Sequence, residues 1–130
     1  MYRAVTRGIQ VTVTPQFVEE QSSPDQARFF WAYTVEIANL GIEVVHLRTR
    51  QWQIIDGHGS MQEVKGPGVV GEEPLILPGH SFTYTSGCPL STPDGTMSGH
   101  YFMENREGET FPVDIPLFPL DSPYVTRVVH

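Results

Sequence analysis

Residues 28–38 set Phe29, Trp31, Tyr33, Val35 and Ile37 on one side of the chain and Phe30, Ala32, Thr34, Glu36 and Ala38 on the other. A strict period of two is the signature of a strand. Five large apolar groups on one face make it a central strand with a face to bury. The same alternation returns at 8–18, through Ile9, Val11, Val13 and Phe17, and at 80–86, 96–105 and 111–115. Shorter runs at 60–65 and 75–77 complete the set. No stretch holds the 3.6-residue period of an amphipathic helix. Eleven prolines and twelve glycines punctuate the chain. These include Asp56-Gly57-His58-Gly59 and Asn105-Arg106-Glu107-Gly108, with Pro78-Gly79 suited to the centre of a type II turn. About seven to eight strands with frequent turns predict an all-β antiparallel sandwich of immunoglobulin or fibronectin III type, favoured over a barrel. The lack of a Cys–Trp–Cys pattern argues against an antibody-like domain. Residues 1–130 read as a single domain, long enough to hide roughly two-thirds of the unfolded surface.

Segment 44–55 is the exception to clean alternation. Val45, Leu47, Thr49, Gln51, Gln53 and Ile55 face one way and Val44, His46, Arg48, Arg50, Trp52 and Ile54 the other, so both faces carry polar groups. Either the core-facing set switches at a bulge or one face meets a partner. In the second case Arg48, Arg50 and Trp52 form a protein-binding surface, because Trp and Arg are enriched at binding hot spots. In the first, the ring packs under arginine stems. With Asn39-Leu40-Gly41 as a turn, 28–38 and 44–55 are expected to pair as an antiparallel hairpin. Pro15 suggests an edge strand or a break, and Gly99 in mid-strand a bulge or a close backbone approach. The proline-broken segment 116–130 is expected to wrap the surface.

A formal net charge of −7 argues against nucleic acid as the main partner. The amino terminus has no apolar run resembling a signal peptide, and no segment is long enough to span a bilayer. A soluble, cytoplasmic monomer or homodimer is expected, without membrane insertion. The lone Cys88 cannot form an internal disulfide or a structural zinc site, and a packed, inert thiol is its expected state.

The stretch 65–74, Lys-Gly-Pro-Gly-Val-Val-Gly-Glu-Glu-Pro, contains G-x-G-x-x-G at Gly66, Gly68 and Gly71, next to the only lysine of the chain. A dinucleotide-binding unit needs a helix directly after such glycines. Pro74 and Pro78 forbid one here, and Lys65 precedes the glycines rather than following them as in a P-loop. Two readings remain. The loop is a structural inter-strand turn, or it is a backbone nest for phosphate. In the second reading Lys65, Gly66, Gly68, Val69, Val70 and Gly71 bind pyrophosphate or a nucleotide, and Mg²⁺ arrives with the ligand to offset Glu72 and Glu73. No cofactor or resident metal is expected. The five histidines lack ligand spacing, His58 reads as a solvated turn residue, and Glu63, Glu72 and Glu73 as a solvated loop edge. No nucleophile–base–orienter set is evident. Ser86-Gly87 and Ser98-Gly99 have no strand-to-helix context. No catalytic residue is assigned, and the chain is read as a non-enzyme.

Several motifs together resemble the bacterial ApaG family, also called CorD. They are Val64-Lys65-Gly66-Pro67-Gly68-Val69-Val70-Gly71, Pro74, Leu77-Pro78-Gly79, Tyr84-Thr85-Ser86, the run from Gly95 to Tyr101, and Ile115-Pro116-Leu117-Phe118. The resemblance covers nearly the whole chain. It implies a fibronectin III-like sandwich and a small cytoplasmic protein without established enzymatic activity. It also implies an association with cobalt resistance and magnesium efflux, and a gene often neighbouring one for diadenosine tetraphosphate hydrolysis. Similar domains in eukaryotic F-box proteins and in a polymerase-delta-interacting protein imply a protein partner.

Overall fold

The computed structural model describes residues 1–125. Nine strands form two antiparallel sheets: β1 (Tyr2–Thr6), β2 (Ile9–Phe17), β3 (Phe29–Asn39), β4 (Val45–Asp56), β5 (Met61–Pro67), β6 (Leu75–Ile76), β7 (Ser81–Leu90), β8 (Gly95–Glu104) and β9 (Thr110–Leu120). One sheet runs β1-β2-β3-β7; the other runs β5-β4-β8-β9, with β6 on the same side of β4 as β5. The chain changes sheet from β3 to β4, from β6 to β7 and from β7 to β8. This is a sandwich of the expected immunoglobulin-like kind.

The apolar face of β3 is buried at every second residue from Phe29 to Asn39. It meets Leu47, Trp52, Met97, Tyr101, Met103, Val113 and Phe118 of the opposite sheet in one core. Burying a large side chain of this kind contributes roughly 1.5–3 kcal/mol. The hairpin expected of 28–38 and 44–55 does not form, because β3 pairs with β2 and β7 while β4 lies in the other sheet. The turn after β3 is an arch between sheets. It is fixed by the buried Asn39, whose amide donates to the carbonyls of Glu43 and Ile76 at 2.7 and 3.0 Å. Both strands bury one face, so two-layer burial outweighs pairing through a short turn.

Other expectations resolve with a clear cause. β1 lacked a strong alternation signal but docks on β2 through the Arg7-Gly8 turn, where both residues have positive φ. β2 is therefore internal. Its Pro15 is still tolerated, because β1 reaches only to Val13 and the missing N–H falls beyond it. Gly99 does mark both a register shift and a close approach: a Cβ there would lie 2.0 Å from the Gln51 carbonyl oxygen. Gly79 has φ 81° in the turn closed by the His80 N–H to the Leu77 carbonyl. Of the expected surface tail, 116–120 is instead strand, with Phe118 and Leu120 fully buried; 121–125 is irregular and exposed or half-buried, and 126–130 lies outside the described residues. Prolines are tolerated in 116–120 because β9 is an edge strand.

Candidate functional site

The irregularity of 44–55 is a bulge. The β4–β8 register shifts between Leu47 and Thr49. Before it Val45 and Leu47 face the core; after it Trp52 does. The extra residue moves the inward set from odd to even positions. Arg48, expected to share a face with Arg50 and Trp52, is thereby separated from them. Trp52 is 3% exposed and packs edge-on against Tyr33 at 5.3 Å. Arg48 stays exposed, 3.7 Å from Glu73 and 4.0 Å from Glu104. It also donates to His46 Nδ1 at 3.2 Å. Nε2 of the same ring lies 2.9 Å from the Glu73 carbonyl, so the neutral tautomer has its proton on Nε2. Arg50 turns to the inner side.

That turn takes Arg50 to the glycine loop. Its Nη1 donates to the carbonyls of Pro67 and Gly68, both at 2.9 Å. The guanidinium lies over Gly66, where a Cβ would be 3.1 Å from both terminal nitrogens. Each glycine of the motif thus has a separate structural cause. Gly66 leaves room for the guanidinium. Gly68, at φ 57°, leaves room for the Glu72 carbonyl, 2.0 Å from where its Cβ would stand. Gly71, at φ 81°, is the second central residue of a two-residue turn closed by reciprocal bonds between Val69 and Glu72 at 2.8 and 2.9 Å. The first central residue, Val70, has φ 46°. Positive φ at both positions defines the type I′ hairpin turn, and a β-branched residue there is strained.

This geometry consumes most amides of the proposed nest. The Gly68 N–H donates to the Arg48 carbonyl and the Val69 N–H to Glu72. Gly66 faces Arg50 two positions along the same ladder, so its N–H belongs to a hydrogen-bonded pair as well. Val70 and Gly71 keep N–H groups without a hydrogen-bond partner among the described residues. Lys65 is set on the exposed face of β5, 4.0 Å from Glu63. It is not brought to the turn. Among the described residues no group of three metal-ligating side chains converges.

A cavity of about 340 Å³ opens beside the loop, lined by Tyr33, Arg50, Trp52, Pro67, Val69, Val70, Gly71, Tyr84 and Ser86. It occupies the lateral gap between the β7 edge of one sheet and the β5 end of the other. Deeper in, the Tyr84 and Tyr101 hydroxyls hydrogen-bond to each other across the two sheets. Burial raises the phenols of Tyr33, Tyr84 and Tyr101 above their ordinary range, so all are neutral donors near pH 7, and Arg50 is close enough to oppose each shift. Cys88 is buried in β7, and burial pushes its thiol up to about 11, which leaves it an inert thiol near neutrality. The arrangement offers one cation and three hydroxyl-bearing side chains, with the Val70-Gly71 turn at its rim. Among the described residues it contains no activated nucleophile.

Alternation alone assigns Tyr33 and Tyr84 to the core, gives Ser86 no binding role and groups Arg50 with Arg48 as well as Trp52. The mixed polarity of 44–55 held the signal, since a bulge there brings the side of Arg50 and Trp52 onto the core face begun by Val45 and Leu47 and leaves Arg48 outside.

Residues 19–105 match the family model described as the ApaG domain. The chain is 62% identical over 130 residues to Protein ApaG of Methylobacterium sp. (strain 4-46), with all of both chains covered. Protein ApaG of Methylorubrum extorquens (strain PA1) is likewise 62% identical over the full length of both. The crystal structure of the putative ApaA protein from Bordetella pertussis superposes with a TM-score of 0.86 at 48% identity, covering 90% of this chain and 95% of that one.

Proposed function

The chain belongs to the ApaG domain family, and we propose that it is a non-enzymatic protein-interaction module that takes an anionic group of its partner in the cavity beside Arg50. The observation carrying this reading is the state of that guanidinium. Among the described residues Arg50 is the one Lys or Arg side chain that is not exposed. It has no carboxylate partner there, although Arg7, Arg48, Lys65 and His100 all do. Two backbone carbonyls occupy one of its nitrogens, and its remaining N–H groups have no protein acceptor among the described residues. In a chain with net charge −7, a half-buried arginine left without an acid is matched to an acid from outside.

Affinity capture from lysate tests this, with Arg50→Gln and the exposed Arg48→Gln compared with the wild type. A partner set lost with Arg50→Gln and kept with Arg48→Gln supports the reading. The same set from all three proteins refutes it.

A second reading has its own support. Val70 and Gly71 line the same cavity and their N–H groups have no partner among the described residues, which supports pyrophosphate or a nucleotide carrying Mg²⁺ as a ligand beside Arg50. Amide shifts at 70 and 71 on titration with pyrophosphate, with and without Mg²⁺, support it, and unchanged spectra at millimolar ligand remove it. A cytoplasmic site of action and a role in cobalt resistance and magnesium efflux belong to the same proposal, with the family resemblance as their support. Rescue of cobalt tolerance in a deletion strain by the wild type, but not by Arg50→Gln, would tie that role to the cavity.

A further inference from the structure

Three of the four lateral edges of the sandwich are guarded. β1 is short, carries Arg3 and lies against β9, where the Asp114 N–H donates to Thr6 Oγ1 at 3.1 Å. β9 itself carries Pro112, Asp114, Pro116 and Pro119. β5 carries Glu63 and Lys65 and ends on Pro67. These are the devices by which proteins keep edges from pairing with other chains. β7 has almost none of them. Its ten residues, Ser-Phe-Thr-Tyr-Thr-Ser-Gly-Cys-Pro-Leu, include no charged group, and its single proline, Pro89, stands next to the end.

The register shows which backbone groups this edge offers. Asn39 donates to the His80 carbonyl. Hydrogen-bonded pairs alternate along an antiparallel ladder, so even-numbered residues of β7 bond to β3 and odd-numbered ones point away from it. Ser81, Thr83, Thr85 and Gly87 therefore present N–H and C=O groups outward along the sheet plane, two residues apart. The even side chains turn inward: Tyr84 is buried, and Tyr84 and Ser86 line the Arg50 cavity. A strand added beside β7 would have every second side chain on the inner side, and those across from Tyr84 and Ser86 directed to that cavity.

We infer that β7 takes an extended segment of a partner protein as a fifth strand of its sheet, with an Asp or Glu of that segment, placed across from Tyr84 or Ser86, reaching Arg50. This rests on the anion reading of the cavity and names the partner's chemistry. Backbone pairing along the edge supplies affinity, and the pocket for one inward side chain supplies selectivity. Charge complementarity selects the occupant. Among the described residues the cavity is lined by Arg50 and no carboxylate, so an acidic side chain entering there is neutralised, whereas a basic one is repelled. Residues next to the acid in the partner strand face outward beside Thr83 and Thr85, and so are free to vary.

The test is selection of displayed random peptides about as long as β7 on the wild-type protein. Hydrogen exchange is then measured on the complex with the best peptide. The expected result is enrichment of Asp or Glu at one position, with β-branched or aromatic residues two places to either side, and slowed exchange at the Ser81, Thr83, Thr85 and Gly87 amides. Arg50→Gln is expected to weaken binding about tenfold or more, the scale of a lost charge-assisted hydrogen bond. Thr83→Pro deletes an outward N–H without removing a bond to β3, and should weaken binding comparably while the thermal transition is retained. No enrichment over the starting library, or a bound peptide that leaves the four amides at their free rate, overturns the inference. Exchange is read on the wild type, so either outcome counts even where Thr83→Pro fails to fold. Binding sensitive to Arg50→Gln but indifferent at the four amides overturns strand addition and leaves the anion reading intact. Protection at the four amides with no effect of Arg50→Gln overturns the anion reading instead.

Discussion

Replacing the three glycines of the loop one at a time separates the roles that the motif pattern conflates. At Gly68 an added Cβ stands 2.0 Å from the Glu72 carbonyl oxygen and 2.8 Å from its carbon. Both are backbone atoms, so no rotamer relieves the contact. Keeping φ at 57° with a side chain costs roughly 1–2 kcal/mol. Opening the turn to escape the clash sacrifices the two Val69–Glu72 hydrogen bonds, about 1 kcal/mol each. Gly68→Ala is therefore expected to lose about 3–4 kcal/mol, a large share of the roughly 5–15 kcal/mol that holds a domain folded. At Gly71 an added Cβ meets none of the described residues beyond its chain neighbours within 4 Å and φ is 81°, so Ala there costs only the conformational term, roughly 1–2 kcal/mol. At Gly66 the neighbour is the movable Arg50 guanidinium, and gained strand propensity offsets its displacement to within about 0.5 kcal/mol. Urea denaturation followed by tryptophan fluorescence reads the series. With a slope near 1.5 kcal/mol per molar, Gly68→Ala lowers the midpoint by about 2 M. A Gly68→Ala loss under about 1 kcal/mol, or equal losses at all three positions, would refute the assignment of Gly68 to a backbone approach.

Tyr101→Phe leaves the Tyr84 hydroxyl unpaired between the sheets and should cost about 1–2 kcal/mol by the same denaturation assay, with the double Tyr84→Phe, Tyr101→Phe variant losing less than the sum of the singles. Burial raises both phenols above their ordinary value of 10.0, so the folded state retains protons that the unfolded chain gives up. Stability is then full below pH 10.0 and falls as pH rises beyond it, and a urea midpoint independent of pH in that range would contradict the buried pair. Cys88, with its thiol pushed up to about 11, should react with iodoacetamide at pH 8 far more slowly in the native protein than in urea, as measured by mass spectrometry.

Much of the fold was legible because alternation is a local property. The β3 face, the Gly99 approach and the Pro78-Gly79 turn each follow from a few neighbouring residues. The pairing of β3 was not legible, since an arch and a hairpin use similar turn residues and only burial of both strands' apolar faces selects the arch. β1 went unseen for a related reason: its alternation is shallow, and β2 and β9 supply the contacts that hold it.

The site divides the same way. The sequence alone excluded a nucleotide-binding helix after the glycines, because Pro74 and Pro78 cannot be helix interior. It also established a chain with far more acids than bases and one cysteine. It could not place Arg50, because a single bulged residue between Leu47 and Thr49 reverses which side chains of β4 face inward. A period of two makes facing depend on parity, and parity is reset only where two strands fall out of register. The tertiary structure therefore decided that Arg50 meets the glycine loop and the β7 edge, while Trp52, two residues away, is sealed in the core.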